Sequence, residues 1–213
     1  MSEVRVEAGS PLAEAVANGG VVRLGPGVHA GPLRVEQSVT VRGEEGAVID
    51  AGGTGAAVEV DGDALTVVIE GVTLRGGHGD GGGGLRLTGF SDVTLTRCVV
   101  AQNRAPQGVG GGIYASRGRL VLEDTVVRDN RAQTASELMA TGVADVRVKG
   151  GELLGNVAAR EGARLTLVGT HVAGDVDVRG TTTRTPTLEL HGCTVDGSVR
   201  NDRALPAKVV FTP

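Results

Sequence analysis

Aromatic residues are almost absent from this 213-residue chain, which has no Trp, one Tyr and two Phe. Proteins that bind single-stranded nucleic acid stack bases on aromatic rings, so the shortage counts against nucleic acid as a partner. No stretch approaches the ~18 consecutive apolar residues of a membrane span. The first residues, MSEVRVEAGS, lack the basic and apolar regions of a signal peptide. We therefore expect a cytoplasmic protein without membrane contact.

Cysteine is also scarce, with Cys98 and Cys193 as the two copies. Both fall at the sixth position of a repeat described below, four repeats apart. Stacked strands would separate them by ~19 Å, far beyond the reach of a disulfide. We expect two buried free thiols, as suits a reducing compartment. The histidines have neither HxxxH nor HxH spacing, so no metal or other cofactor is predicted.

The net charge of −4 is unevenly distributed. Residues 1–80 carry 12 acids and 5 bases, giving −7, whereas residues 81–213 carry 13 acids and 16 bases, giving +3. Residues 97–131 alone contain six arginines and three acids. A basic stripe of this kind can bind an anionic polymer or an acidic protein partner.

An eleven-residue pattern occurs six times and dominates the chain. The copies are VVIEGVTLRGG, VTLTRCVVAQN, LVLEDTVVRDN, VRVKGGELLGN, LTLVGTHVAGD and LELHGCTVDGS, beginning at Val67, Val93, Leu120, Val146, Leu165 and Leu188. Positions one, three and eight are apolar in every copy. The alternation of positions one to three predicts a strand with one buried face. A repeat this regular predicts a stacked solenoid.

Two further columns of the repeat predict corners. Position five contains four glycines, which suits a bend with positive φ. Position eleven is small or polar, as in a corner where side chains bond to nearby backbone, and stacked asparagines there could form a ladder of amide bonds. The residues of this predicted structural ladder are Gly77, Asn103, Asn130, Asn156, Asp175 and Ser198.

A third short strand follows each position-eleven corner. These strands are predicted at Leu85–Leu87, Ile113–Ala115, Leu138–Ala140, Val157–Ala158, Val176–Val178 and Val199–Arg200. The copies are 26, 27, 26, 19 and 23 residues apart, so the connection to this strand absorbs the variation in length. Three strands per coil predict an all-β, single-stranded parallel β-helix of about eight coils. The usual hand of parallel crossovers favours a right-handed one.

We divide the single domain, residues 1–213, into four parts. Residues 10–18 are predicted to form an N-terminal capping helix, with Ser10 as N-cap and Pro11 as the first helical residue. Residues 20–64 form the first coils, residues 65–200 the regular coils, and residues 201–213 a tail containing an apolar strand, Val209–Phe211. That end has no evident cap, so it either associates with a second copy of the chain or is closed by the tail folding over the last coil. The run Gly81–Gly84 is interpreted as turn and loop, since no helix follows it.

Several segments carry a resemblance to a known group of proteins. They are PLAEAVANGGVVRLGPGVHAGPLRV, VTVRGEEGAVIDAGG, GVGGGIYAS and the pair QNRA and DNRA. With these the chain resembles the pectate-lyase-like superfamily of right-handed parallel β-helices over nearly its whole length. The resemblance implies the fold. It implies no single activity, since the superfamily includes lyases, hydrolases, epimerases, adhesins and non-catalytic scaffolds.

Catalytic members of that superfamily work on the outer face of the third strand and its loops. The predicted outward row here is Arg86, Tyr114, Met139, Ala158, Asp177 and Arg200. It lacks the adjacent carboxylates of ordinary glycoside hydrolysis. His78 with Asp80, and Asp175 with Asp177, are the nearest fragments. The weak catalytic candidates are therefore His78, Asp80, Arg86 and Asp177.

A ligand-binding hypothesis uses other residues of the same face. Arg86, Arg104, Tyr114 and Arg131 could surround an acidic ligand in a groove shaped by glycine-rich loops. We favour a non-enzymatic β-helix scaffold or a binding and assembly module. The alternative is a carbohydrate-active enzyme, similar to a polysaccharide lyase or hydrolase, that acts on an acidic polysaccharide.

Overall fold

The computed structural model describes residues 3–202 and 208–212 of the chain. Short parallel strands account for most of its regular structure, together with one helix of six residues. Within the described ranges, no helix has both the length and the apolar character needed to cross a membrane.

The elements of the first half, in chain order, are β1 (Glu3–Val6), α1 (Leu12–Ala17), β2 (Gly20–Leu24), β3 (Gly27–Ala30), β4 (Leu33–Val35), β5 (Val39–Gly43), β6 (Ala47–Asp50), β7 (Val58–Val60), β8 (Thr66–Glu70), β9 (Thr73–Arg75), β10 (Leu85–Leu87), β11 (Asp92–Thr96), β12 (Val99–Ala101), β13 (Arg104–Val109) and β14 (Ile113–Ala115). Those of the second half are β15 (Arg119–Glu123), β16 (Val126–Arg128), β17 (Arg131–Thr134), β18 (Leu138–Ala140), β19 (Asp145–Lys149), β20 (Glu152–Leu154), β21 (Val157–Arg160), β22 (Arg164–Val168), β23 (His171–Val172), β24 (Val176–Arg179), β25 (Thr187–His191), β26 (Thr194–Val195), β27 (Val199–Asn201) and β28 (Lys208–Thr212).

These strands form three long parallel sheets. The first has ten strands in the order β1-β2-β5-β8-β11-β15-β19-β22-β25-β28. The second has eight, β3-β6-β9-β12-β16-β20-β23-β26, and the third has eight, β4-β7-β10-β14-β18-β21-β24-β27. Within each of these sheets a strand pairs with its equivalents in the neighbouring coils, and the two end strands have one such partner among the described strands. The chain is therefore a parallel β-solenoid, and the predicted third strands lie together in the third sheet.

The core lies between the three sheets and follows the repeat. Positions one and three face it in every copy from Val67 to Leu190, and all twelve side chains are buried. Position eight lies in the second sheet and is buried in five copies, whereas Val195 in the sixth copy is half-buried. Because equivalent residues stack on one another, each coil covers the apolar face of its neighbour.

The bend at position five is left-handed in all six copies. Its glycines have φ between 57° and 65°, as that residue type allows without steric cost. Arg97 and Asp124 adopt the same conformation, with φ of 51° and 47°. The fold thus imposes this corner even where the side chain disfavours it.

Glycines also pack closely at the next corner. The amides of Gly82, Gly83 and Gly84 donate to the carbonyls of the glycines at 110, 111 and 112 in the following coil, at 2.8–2.9 Å. A Cβ on Gly84 would lie 2.3 Å from Cγ1 of Val100. The run interpreted from the sequence as loop is therefore a stacked, hydrogen-bonded part of the solenoid.

The polar corner column is held by bonds between coils. Asn103 accepts from the Gly77 amide at 2.9 Å and donates Nδ2–H to Oδ1 of Asn130 at 3.0 Å. Further along, Oδ1 of Asn156 accepts from the Asp175 amide, and Oδ1 of Asp175 accepts from the Ser198 amide. The structure gives one amide-to-amide side-chain bond here, so a continuous asparagine ladder stays a prediction.

The first helix is shorter than predicted. It begins at Leu12 rather than Pro11, and its N-cap is Pro11 rather than Ser10, without a side-chain capping hydrogen bond. The fixed φ of proline fits the extended cap conformation, with φ −70° and ψ 95°. Leu12 and Val16 are buried against the core. Its role as a cap stays a prediction.

The cysteines differ from each other in burial. Both are free, but only Cys98 is buried, whereas Cys193 is half-buried because its coil lies near the last strands of the described chain. The expectation of two buried thiols is thus wrong for Cys193. Burial raises the pKa of the Cys98 thiol to about 11.

The predicted apolar strand of the tail is part of the first sheet. Val209, Val210 and Phe211 lie in β28, which pairs with β25. Val209 and Phe211 continue the core columns of Leu188 and Leu190, but Phe211 is 65% exposed. Residues 203–207 and 213 of the predicted tail lie outside the described residues.

The Asn103 contacts predict a large loss of stability for Asn103→Ala. The substitution leaves the Gly77 amide and the Leu74 carbonyl without this buried partner, at about 2–4 kcal/mol of unfolding free energy. Asn156→Ala, at an exposed member of the same column, should cost about 1 kcal/mol or less. Urea unfolding measures both. Equal losses in the two variants would contradict this account.

Candidate functional site

The outer face of the third sheet presents a row of side chains in register. Arg86, Tyr114, Met139, Ala158, Asp177 and Arg200 are direct neighbours on β10, β14, β18, β21, β24 and β27, as the sequence predicts. They face outward because the residues on either side of each, such as Ile113 and Ala115, point into the core.

Two members of this row are nevertheless buried. Met139 is 3% exposed and Ala158 is 1% exposed, because Ala135 packs against them together with Val109 and Tyr114. Val109 and Ala135 belong to the segments that lead into the third sheet, where β13 and β17 form an additional two-stranded parallel sheet. The outer face is therefore divided by a small apolar cluster.

A groove of about 630 Å³ lies beside this cluster. Tyr114, Met139, Val109 and Val143 provide its apolar part. Four arginines and, among the described residues, one carboxylate provide its charge: Arg117, Arg160, Arg179, Arg184 and Glu161. The groove is thus cationic and partly apolar, and its arginines come from three coils, because Arg184 lies in the connection that follows Arg179.

Two of these arginines share one carboxylate. Nη2 of Arg160 donates to Oδ2 of Asp177 at 2.7 Å, and Nε of Arg179 donates to Oδ1 of Asp177 at 3.1 Å. Arg160 and Arg179 are register partners on β21 and β24. Burial by itself raises the pKa of Asp177, but the hydrogen bonds and charges of the two arginines outweigh it and hold the pKa below its usual value.

Arg160 has one unused donor group. Its Nη1 is buried and has no hydrogen-bond acceptor among residues 3–202 and 208–212. A buried guanidinium N–H without an acceptor is costly.

The predicted ligand set is divided by the structure. The structure describes all four of its residues, and of these Tyr114 alone lines the groove. The Arg86 guanidinium lies 5.8 Å from the centroid of the Tyr114 ring and is 3.7 Å from a carboxylate oxygen of Glu59. Arg104 and Arg131 are backbone register partners at the start of the parallel strands β13 and β17. Arg104 lines a separate cavity of about 300 Å³ beside His78.

The four weak catalytic candidates lie in two places. His78 and Asp80 are exposed in the segment between β9 and β10, close in sequence to Arg86. Asp177 is four strands away from Arg86 in the third sheet, which corresponds to ~19 Å. The structure therefore does not bring all four residues to one site.

The remaining histidines do not extend these candidates. Nε2 of His171 lies 2.9 Å from Oδ2 of Asp196 on the second-sheet side, and His29 is buried with Nε2 beside the Gly25 carbonyl. No group of three or more metal-binding side chains occurs in the part of the chain that the structure describes.

Sequence reasoning missed Glu137, a buried carboxyl beside the polar corner column. Its Oε2 accepts from Nδ2 of Asn130 at 2.6 Å, which joins it to the Asn103–Asn130 pair. Burial raises the pKa of Glu137 to about 7, and nearby Asp129 adds to the rise, although hydrogen bonds from Asn130 and Ser136 oppose it. Glu137 lies seven residues after Asn130, in the connection of variable length, so no repeat position marks it.

Glu137 predicts a pH-dependent stability. Its pKa in the folded state lies above the ordinary 4.5, so the folded state holds the proton more tightly than the unfolded state does. The stability gained from this proton is complete below pH 4.5 and is lost as pH rises through about 7. Glu137→Gln stays neutral and keeps an acceptor for Asn130. We expect it to be more stable than the parent by about 1–3 kcal/mol at pH 8 and equally stable at pH 4.

Chemical denaturation across this pH range measures the effect. Glu152→Gln, which removes an exposed carboxylate from β20, is the matched control and should follow the parent. The same pH profile in Glu137→Gln and the parent would rule out Glu137 as its source.

Comparison of the chain with protein-family models, with curated proteins and with solved structures finds no match.

Proposed function

We propose that this protein is a non-enzymatic binding module whose third-sheet groove takes an acidic polymer, most simply an acidic polysaccharide. Included in the proposal are a right-handed β-helix of the pectate-lyase-like type and a cytoplasmic location, which the free Cys98 and Cys193 support. The main support for this proposal is the composition of the groove, which is lined by four arginines and one carboxylate among the described residues.

Three properties of the groove support this ligand class. Arginine presents planar donors that match carboxylates. The arginines extend along the solenoid axis, since Arg160 and Arg179 lie on adjacent coils, which suits a ligand with repeated negative charges. Tyr114 and Met139 add apolar surface for the uncharged faces of such a chain.

Titration calorimetry with polygalacturonate, and with neutral dextran as the reference polymer, tests the proposal. We expect binding of polygalacturonate that weakens as salt rises, because the arginines are partly exposed. In Arg117→Gln with Arg184→Gln, Kd should rise about five- to tenfold. The double variant Arg147→Gln with Arg164→Gln removes equal charge from β19 and β22 of the first sheet and should leave Kd unchanged.

Equal effects of the two double variants would show that binding follows overall charge rather than the groove. The polymer recovered after incubation decides the enzymatic alternative. Intact polygalacturonate is expected, whereas new reducing or unsaturated ends that depend on the protein would establish a hydrolase or lyase activity.

Self-association is a second candidate function, favoured by Phe211. This side chain is 65% exposed on β28, which has no partner strand on its other edge among the described strands. Such an edge is a template for a strand of another copy. Val168 is 39% exposed on the first sheet and offers a control.

Light scattering over a wide concentration range tests this second function. We expect the parent to form larger particles as its concentration rises. In Phe211→Ser the concentration at which these particles appear should be at least about tenfold higher. Val168→Ser should behave as the parent. A parent that is monomeric at all concentrations would exclude assembly through β28.

A further inference from the structure

Asp177 lies between two cavities of the outer face. On one side its oxygens bond Arg160 and Arg179, which line the large groove. On the other side it lines a cavity of about 170 Å³ with Asp175 and Arg200. Nη2 of Arg200 bonds Asp175 at 2.7 Å, so that pair is separate from the Asp177 contacts.

The Arg160–Asp177 ion pair is more buried than most other ion pairs of the described chain. The side chains of Arg160 and Asp177 are 19% and 20% exposed. Arg179 is 52% exposed, and its Nε bonds the same carboxylate. One carboxylate thus binds two guanidinium groups, each through a different oxygen.

We propose that Asp177 is a positioning residue of the groove, which holds Arg160 and Arg179 in the orientation that receives a ligand carboxylate. This inference rests on the proposed function, because it concerns how the same groove binds an anion. It assigns Asp177 no contact with the ligand and no catalytic step.

Removal of Asp177 should change the affinity of the groove for an anion, and two effects predict opposite directions of that change. An acidic residue near an anion site lowers the positive potential, so its removal should strengthen binding if charge alone mattered. If Asp177 positions the arginines, its removal frees two long side chains, and ordering them again on binding weakens affinity. The two effects oppose each other, and one substitution decides between them.

Asp177→Asn is that substitution, with Glu161→Gln as its matched control. Both remove one negative charge from the same region with little change of shape. Glu161 is exposed, lines the groove and accepts a hydrogen bond from Thr141 rather than from an arginine. We expect Asp177→Asn to raise Kd for polygalacturonate about five- to twentyfold, and Glu161→Gln to lower it by about twofold.

Relaxation of the arginine Nε–H groups, measured by NMR without ligand, gives an independent result. In the parent we expect Nε of Arg160 and Arg179 to be as ordered as the backbone, unlike that of Arg147. In Asp177→Asn both should become mobile. Thermal unfolding of each variant establishes that it is folded.

The outcomes separate this inference from the proposed function. Absence of polygalacturonate binding by the parent, with ordered Arg160 and Arg179, would refute the ligand and leave the positioning role intact. Mobile guanidinium groups in the parent would refute the positioning role whether or not the polymer binds. A Kd that falls in Asp177→Asn as in Glu161→Gln would also refute it.

Discussion

Each inner strand of the three long sheets exchanges its backbone hydrogen bonds with the strand one coil before it and the strand one coil after it. This parallel pairing runs from β1 to β28 in the first sheet without interruption. It fixes the register, so that residues at the same repeat position lie above one another. The apolar columns then cover themselves, and no separate globular core is needed.

The corners follow from the same constraint. Since stacked coils must turn at the same height, Arg97 and Asp124 accept the left-handed bend that glycine occupies elsewhere. The glycines of neighbouring coils approach until their backbones bond directly, which leaves no room for a Cβ at Gly84. The buried Asn103 and Asn130 satisfy the polar groups that the second corner would otherwise leave unpaired.

The proposed binding site lies where this constraint is weakest. The connections before the third sheet vary in length, and those that contain β13 and β17 cover part of its outer face. They convert a mixed row of outward residues into an apolar cluster with a cationic groove beside it. Asp177 lies at the boundary and accepts hydrogen bonds from two of the arginines. A rigid face that carries variable segments is a general way to present a binding site.

The sequence by itself determined the coil. Alternation at Val67 and Ile69, repeated six times, implies strands with one buried face, and the glycines of position five imply the bend. It also placed the outward row from Arg86 to Arg200 in register. These features are local or periodic, so a pattern carries them. The tertiary structure alone decided that Met139 is buried, that Arg104 and Tyr114 line different cavities, and that Glu137 is buried beside Asn130. Those outcomes depend on how connections of unequal length fold over the sheet, and no repeat position records that.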